Sequence, residues 1–208
     1  QFVLTGEQDQ NGEFLSKNAG KSYRRGLEFE LRWHPLDCLT WQANATWSRN
    51  RIIDNKMSVE GSDTPVNLGS TPISFTPSLT ANNVLAFAMK GWRATLTTRF
   101  VGEQYLTNTG FRTYTHNGAE ESLMLDAYCA SDLDVSYEFS KLSFAKRLTL
   151  GATVYNIFNA KYNANGGAFT DLRLNSNGKV EATQAGNAYA VFSAQAPAHF
   201  LVHLSWRL

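Results

Sequence analysis

The chain has 208 residues, 18% charged side chains and a formal net charge of +1. The charged fraction lies below the roughly 25% of a typical soluble domain, and a nearly neutral chain without a Lys/Arg cluster offers no electrostatic footprint for nucleic acid. No uninterrupted apolar run approaches the roughly 18 residues of a membrane-spanning helix, which excludes a helical membrane protein. A barrel escapes this test, because each spanning strand presents only alternate residues to lipid.

Alternation of apolar and polar residues at period two predicts eight strands. They fall, in chain order, at about 1–5, 21–34, 39–52, 76–88, 92–104, 123–139, 147–160 and 196–208. Several exceed the five or six residues of an ordinary soluble strand and reach the roughly 9–11 residues that cross a bilayer. The pattern favours an all-β fold, an antiparallel transmembrane β-barrel.

The connections between the predicted strands alternate between tight and long. The tight ones are at 35–38, 89–91 and 140–147, and the long ones are at 6–20, 53–75, 105–122 and 161–196. Outer-membrane barrels place short turns in the periplasm and long loops outside the cell. Counted back from the end, this alternation puts the C-terminus on the short-turn side.

Segment 21–34 shows the two faces of such a strand. Leu27, Phe29, Leu31 and Trp33 fall on one face, and charged residues on the other. A one-residue slip would turn two arginines toward lipid, at about 2–4 kcal/mol each near the midplane. We therefore expect the apolar face to contact lipid and the polar face to line a wet lumen. A soluble sandwich with its apolar face inward stays possible from sequence alone.

Two sets of side chains are candidates for function, and both assignments assume that the chain forms a barrel. The first is a lumenal set that would pair internally or with a plug: Arg24, Glu28, Glu30, Arg32, Arg93, Arg99, Asp132, Asp134 and Glu138. The second is an aromatic lip in a long loop, as a ligand-binding surface: Tyr105, Phe111, Tyr114 and His116.

The sequence carries no catalytic constellation. His199 and His203 have helical spacing, but on a strand they would lie about 13 Å apart, too far for one metal ion. Nothing similar to the G-x-S-x-G nucleophile motif occurs. We predict no enzyme activity, no metal and no cofactor.

Six stretches then carry a family resemblance. In chain order they are KNAGKSYRRGLEFE, ATWSRNRI, ISFTPSL, VGEQYLTNT, VYNIFNAKY and QAPAHFLVHLSWRL. Over most of the chain they resemble the C-terminal part of a TonB-dependent outer-membrane receptor, of the kind common in Bacteroidetes. The chain departs from that pattern at its end, because such receptors usually end in Phe, which the barrel-assembly machinery reads, and here the last residue is Leu208.

The resemblance implies a barrel of about 22 strands that holds an N-terminal plug. Residues 1–208 would be its C-terminal segment of about eight strands, with the plug domain absent from this chain. Because the sequence starts at Gln1 without an initiator Met or a signal peptide, we expect a piece of a longer polypeptide.

The implied function is active uptake of a scarce nutrient across the outer membrane of a Gram-negative cell. Siderophore-bound iron, haem, cobalamin and glycans are the implied ligand classes. The implied partners are outer-membrane lipid, the plug, the TonB complex and the nutrient, with no nucleic acid. Two alternatives stay open: a small eight-stranded outer-membrane barrel with a structural or adhesive role, and a secreted soluble β-sandwich that acts as a lectin or hydrolase.

Overall fold

The computed structural model describes residues 2–8, 10, 14–18, 20–140, 146–184 and 189–207. These residues form strands and loops without a helix, so no helix among them has the length and hydropathy to cross a membrane. The strands are β1 (Phe2–Gln8), β2 (Phe14–Asn18), β3 (Lys21–Leu36), β4 (Leu39–Ile53), β5 (Lys56–Met57), β6 (Val66–Asn67), β7 (Thr71–Pro72), β8 (Leu79–Met89), β9 (Trp92–Val101), β10 (Gln104–Tyr105), β11 (Thr113–His116), β12 (Ala119–Ser122), β13 (Met124–Leu125), β14 (Tyr128–Phe139), β15 (Arg147–Tyr155), β16 (Asn163–Gly167), β17 (Thr170–Leu174), β18 (Val180–Gln184), β19 (Val191–Ala194) and β20 (His199–Arg207).

Seven long strands form one antiparallel sheet, which we call the wall. Its order is β20-β15-β14-β9-β8-β4-β3, and the short β7 pairs with the loop end of β4. Seven of the eight predicted strands are confirmed by this sheet. The eighth, predicted at 1–5, is wrong as a wall strand, because β1 pairs with β2 in a separate two-stranded sheet. The predicted ends at Gln1 and Leu208 lie outside the described residues.

The register of the wall aligns most apolar positions of one strand with apolar positions of the next. One row crosses all seven strands through Trp33, Trp41, Leu85, Leu96, Leu133, Val154 and Phe200. The adjacent row on the other face runs through Arg32, Gln42, Val84, Thr97 and Asp132. Directly paired residues of antiparallel strands project to the same side. The wall therefore has a mainly apolar face and a mainly polar face.

The apolar face is not covered by a second layer of the described residues. Leu27 is 71% exposed, Phe29 59% and Leu204 65%. A sandwich would bury these side chains between two sheets, so the soluble sandwich is contradicted. The edge strands β3 and β20 are not paired with each other, so the described wall is open and does not form a closed eight-stranded barrel.

Two local features interrupt the alternation of apolar and polar residues in the wall. Asn83 lies on the apolar face opposite Ala43, and its side-chain carbonyl accepts a hydrogen bond from the indole N–H of Trp41. Farther along the chain, β15 leaves the ladder at Asn156, which has a φ of 50°. The backbone N–H of Asn156 donates to the carboxylate of Asp132 at 2.8 Å, and the ladder resumes with Ile157 donating to the carbonyl of Ser131. The phase of the predicted strand 147–160 changes at this residue.

The tight connections match their predicted positions. Asp37 and Cys38 join β3 to β4, and Lys90 and Gly91 join β8 to β9. Lys90 and Gly91 have φ values of 49° and 86°. A type I′ turn, which fits the twist of the flanking strands, requires positive φ at both of these positions. The turn between β14 and β15 includes residues 141–145, which lie outside the described part of the chain.

Candidate functional site

Three long loops at one end of the wall fold together into a small domain-like unit, which we call the loop cap. They comprise residues 54–78, 102–127 and the described parts of 156–198. The second and third loops form a four-stranded sheet in the order β12-β11-β18-β17, and Glu60 of the first loop forms a β-bridge with Arg173. The apolar core of the cap consists of Val59, Tyr114, Leu123, Leu172 and Ala182. The loops therefore have their own packed interior, which holds their side chains in place above the wall.

Tyr114 connects two of the loops through its hydroxyl group. The hydroxyl donates to the carboxylate of Glu121 at 2.8 Å and accepts from the backbone N–H of Ala190 at 3.0 Å. His116 Nδ1 lies 2.8 Å from the other carboxylate oxygen of Glu121, and its ring stacks on Tyr114 at 6.2 Å between centroids. These bonds lower the pKa of Glu121, with the bond from Tyr114 as the largest cause and that from His116 next. Burial raises the pKa of the Tyr114 phenol.

The predicted aromatic lip is placed differently from what the sequence suggested. Tyr114 is only 2% exposed, so its ring lies inside the cap and not on its surface. Phe111 packs against the same core, and His116 is half-buried beside Glu121. Alternation along one short strand sends Tyr114 inward, where the apolar side chains of the other loops surround it. The ligand role of the four residues stays a prediction.

Tyr105 lies apart from that cluster, in a cavity where the cap meets the wall. The cavity has a volume of about 400 Å³, and Tyr105 lines it together with Arg112, Glu103, Arg49 and Arg51. Glu103 forms an ion pair with Arg112, and this hydrogen bond is the main cause that raises the pKa of the Arg112 guanidinium. An aromatic ring next to charged groups in an open cavity is suited to contact a polar ligand.

A second cavity of the cap is acidic. It has a volume of about 620 Å³ and is lined by Glu60, Asp63 and Asp171 among other residues. Burial is the main cause that raises the pKa of Asp171, and the negative charge of Glu60 raises it further. No group of three or more His, Cys, Asp and Glu residues in the described chain has the arrangement of a metal site.

The nine charged residues of the predicted lumenal set all lie on the polar face of the wall. By register they are distributed over β3, β9 and β14, as Arg24, Glu28, Glu30, Arg32, Arg93, Arg99, Asp132, Asp134 and Glu138. Glu138 accepts from Arg93 at 3.5 Å and from Arg147 at 3.1 Å, and Asp134 accepts from Thr153 at 2.6 Å. Part of this set is thus paired within the wall itself.

On the polar face, Glu30 and Arg99 lie in one row, with the amide side chains of Asn44 and Asn82 between them. Glu30 lies opposite Asn44, Asn44 opposite Asn82, and Asn82 opposite Arg99, with a 3.0 Å hydrogen bond from Asn82 to Asn44. Arg24 and Glu28 line a cavity of about 550 Å³ with Thr46, Ser48 and Asn50. The polar face therefore presents cationic, anionic and neutral hydrogen-bonding side chains.

Glu121 was missed by sequence reasoning, although the sequence contains a signal for it. Asn117 and Gly118 have φ values of 49° and 81°, and Asn-Gly is the strongest short-range hairpin signal. A two-residue turn there places Tyr114 opposite Glu121. The contacts of this hairpin with β18 and Ala190 carry no comparable local signal, because they join residues more than 60 positions apart.

The fold and the two faces define the class of protein: an outer-membrane type β-barrel wall with an ordered cap of long loops. Residues 1–157 match the family model described as "TonB dependent receptor-like, beta-barrel". The chain belongs to this family, whose members are outer-membrane receptors rather than enzymes. No curated protein matches the sequence significantly.

Solved structures with the same fold are receptors and transporters. The ferric yersiniabactin uptake receptor FyuA from Yersinia pestis is 17% identical over 96% of this chain and 25% of its own, with a TM-score of 0.60. The siderophore receptor PiuA from Acinetobacter baumannii is 13% identical over 98% and 24%, with a TM-score of 0.60. The copper transporter OprC is 14% identical over 98% and 25%, with a TM-score of 0.58. The chain spans about a quarter of the length of these proteins.

Proposed function

We propose that this chain is the wall and loop cap of a TonB-dependent receptor that imports a scarce nutrient through the outer membrane of a Gram-negative cell. The observation that carries the proposal is the wall, in which one face is mainly apolar between Leu27 and the tight turns while the opposite face carries charges. Such a sheet is stable only between hydrocarbon on one side and water or protein on the other. The Bacteroidetes type of receptor stays a prediction.

We further propose that residues 1–208 form the C-terminal segment of a barrel of about 22 strands with an upstream plug. The open edges of β3 and β20 and the match to about a quarter of each related receptor support this. Unpaired strand edges do not occur in lipid, so further strands must complete the wall. The plug would occupy the polar face and would engage the TonB complex.

The nutrient would be captured by the loop cap. Tyr105, beside Arg112 in its open cavity, is the member of the predicted lip best placed to touch a ligand, and His116 is partly buried beside Glu121. Phe111 and Tyr114 would support the surface from inside. Siderophore-iron, haem, cobalamin and glycans are the candidate ligands. Among the fold relatives, PiuA is described as a siderophore receptor, FyuA as a ferric yersiniabactin uptake receptor and PfeA as a ferric enterobactin receptor.

The test is nutrient uptake by cells that express the full-length receptor, in the presence and absence of TonB. Cells starved for iron, cobalamin or carbon receive a ferric siderophore, haem, cobalamin or an oligosaccharide as the limiting nutrient. We expect growth on one nutrient class that requires both the receptor and TonB. Uptake that persists without TonB, or a receptor that migrates as a folded protein outside the outer-membrane fraction, would contradict the proposal.

A further inference from the structure

One amide side chain interrupts the apolar face near the middle of the wall. Asn83 is the third of the outward positions in β8, which run from Leu79 at the loop end to Met89 at the tight turn. At about 3.3 Å per residue and a strand tilt of about 40°, Asn83 lies about 10 Å below Leu79 and about 15 Å above Met89. The apolar band of an outer-membrane barrel is about 25 Å tall, so this amide lies near the middle of the band.

The amide of Asn83 is only partly satisfied within the wall. Its carbonyl oxygen accepts a hydrogen bond from the indole N–H of Trp41, whereas its NH2 group donates to no group of the described residues. Thr98 lies opposite Asn83, but its hydroxyl is bonded to that of Ser131 at 2.9 Å. Acyl chains carry no acceptor at this depth and water is absent there. An acceptor for the NH2 group must therefore come from another protein surface.

The amide lies in a shallow depression of the apolar face, which we call the Asn83 depression. Its floor consists of short side chains that are paired across β4 and β8, namely Ala43, Ala45, Ala81 and Asn83. Larger apolar side chains surround this floor, namely Phe29, Leu31, Trp41, Trp47, Leu79, Leu85 and Phe100. From β3 to β9 the depression spans three strand spacings, about 14 Å, which is wide enough to admit an aromatic side chain from outside.

We propose that the Asn83 depression is the contact surface for a second copy of this receptor in the outer membrane. A two-fold axis along the membrane normal keeps each residue at its own depth, so Asn83 of one copy meets Asn83 of the other. Each NH2 group then donates to the carbonyl oxygen of the other amide, which has a second lone pair beside the bond from Trp41. The inference rests on the proposed location of the chain in the outer membrane.

The shape of the depression also fits a second copy. Phe100 is paired with Ala81 across the β8–β9 ladder, so it lies one strand away at nearly the same depth. The same two-fold axis therefore directs Phe100 of each copy toward the short side chains of the other. A different barrel would need its own polar group on a lipid-facing surface at this depth, where polar groups are costly. A second copy supplies that group by symmetry.

The experiment measures the dimer dissociation constant of the full-length receptor by sedimentation equilibrium in detergent micelles. We expect the wild type to dimerise, and Asn83→Leu, which removes the amide at similar size, should raise the dissociation constant at least tenfold. Ala45→Phe, which fills the depression from within, should raise it by a similar factor. The matched control is Ala94→Phe, which adds the same ring to the apolar face of β9, about 20 Å from Phe100. This control should leave the constant within twofold of the wild type.

Disulfide cross-linking in isolated outer membranes then measures proximity, in a receptor without other cysteines. Ala81→Cys should form a species of twice the receptor mass, and Ala94→Cys should not. The inference would be overturned by a monomeric wild type, by an Asn83→Leu dimer as tight as the wild type, or by equal cross-linking at the two positions. Cross-linking of Ala81→Cys to a different protein would also overturn it.

Heat-modifiable mobility checks that each variant is folded. TonB-dependent uptake by the same cells tests the proposed function separately. A monomeric receptor that still transports its nutrient would refute the second copy alone, whereas loss of TonB dependence or absence from the outer-membrane fraction would refute the proposed function.

Discussion

At the scale of single residues, the wall depends on positions where one side chain would disturb two strands. Gly26 in β3 is the clearest case: an added Cβ would collide with the backbone carbonyl oxygen of Trp47 and lie 2.9 Å from the Cα of Ser48. Both obstacles belong to the backbone of β4, so neither can rotate away. The close approach of β3 and β4 therefore requires glycine here.

Replacing Gly26 with alanine is predicted to lower the free energy of unfolding of the full-length barrel by about 1–3 kcal/mol, as overpacking does elsewhere. Urea titration in phospholipid vesicles, followed by tryptophan fluorescence, measures it. Gly20→Ala is the matched control, since an added Cβ there meets nothing within 4 Å, and its effect should stay within about 0.5 kcal/mol. Equal effects of the two substitutions would show that the close approach is not limiting.

At the scale of elements, the wall strands were predictable and the loop cap was not. A strand such as β3 can be predicted from local sequence, because its apolar and polar residues alternate and each type faces its own side of the sheet. The predicted strand 147–160 did not show where β15 leaves the ladder, because the hydrogen bond that Asn156 donates to Asp132 involves another strand. The cap depends on pairing between β11 and β18, which are far apart in sequence, so no local pattern could place Tyr114 in a core.

The hairpin of β11 and β12 should lose stability in acid through Glu121. The hydrogen bonds from Tyr114 and His116 lower its pKa below the ordinary 4.5, so its contribution is complete above pH 4.5 and is lost as the pH falls through the lower folded pKa. Hydrogen exchange, corrected for intrinsic rates, should show that the protection of β11 falls as the pH is lowered below 4.5. Glu121→Gln should remove this fall. An unchanged profile in the variant would contradict the assignment.

Asp171 in β17 should have the opposite effect on how the stability of the loop cap depends on pH. Burial and Glu60 raise its pKa, so its contribution is present below its ordinary pKa of 3.8 and is lost as the pH rises through the higher folded pKa. The ionised carboxylate thus weakens the cap at neutral pH. Asp171→Asn should increase the protection of β17 and β18 at pH 7 and leave it unchanged at pH 3. A decrease at pH 7 would show that the carboxylate makes a stabilising contact instead.

At the scale of the whole molecule, the polar face should hold the plug. Arg93 is already bonded to Glu138 within the wall, whereas Glu30 and Arg32 face amide side chains, Asn44 and Gln42, across the ladder. Glu30 and Arg32 can therefore pair with charged residues of an enclosed domain. Glu30→Gln or Arg32→Gln should therefore reduce uptake several-fold without reducing the amount of heat-modifiable barrel, and Arg93→Gln should affect uptake less. Equal loss of folded barrel and uptake would refute this role.

The orientation of the wall in the membrane can be tested with one charge placed on either face. Phe29 lies in the middle of the apolar stretch of β3 and is 59% exposed. Phe29→Arg should lower the free energy of unfolding by about 2–4 kcal/mol, because the new arginine would face lipid. The control is Asn44→Arg, which puts the same charge on the polar face opposite Glu30, where the effect should stay under about 1 kcal/mol. Urea unfolding of both full-length variants in vesicles measures the difference. If Asn44→Arg proved the more destabilising, the faces would be reversed, because only contact with hydrocarbon makes an arginine so costly.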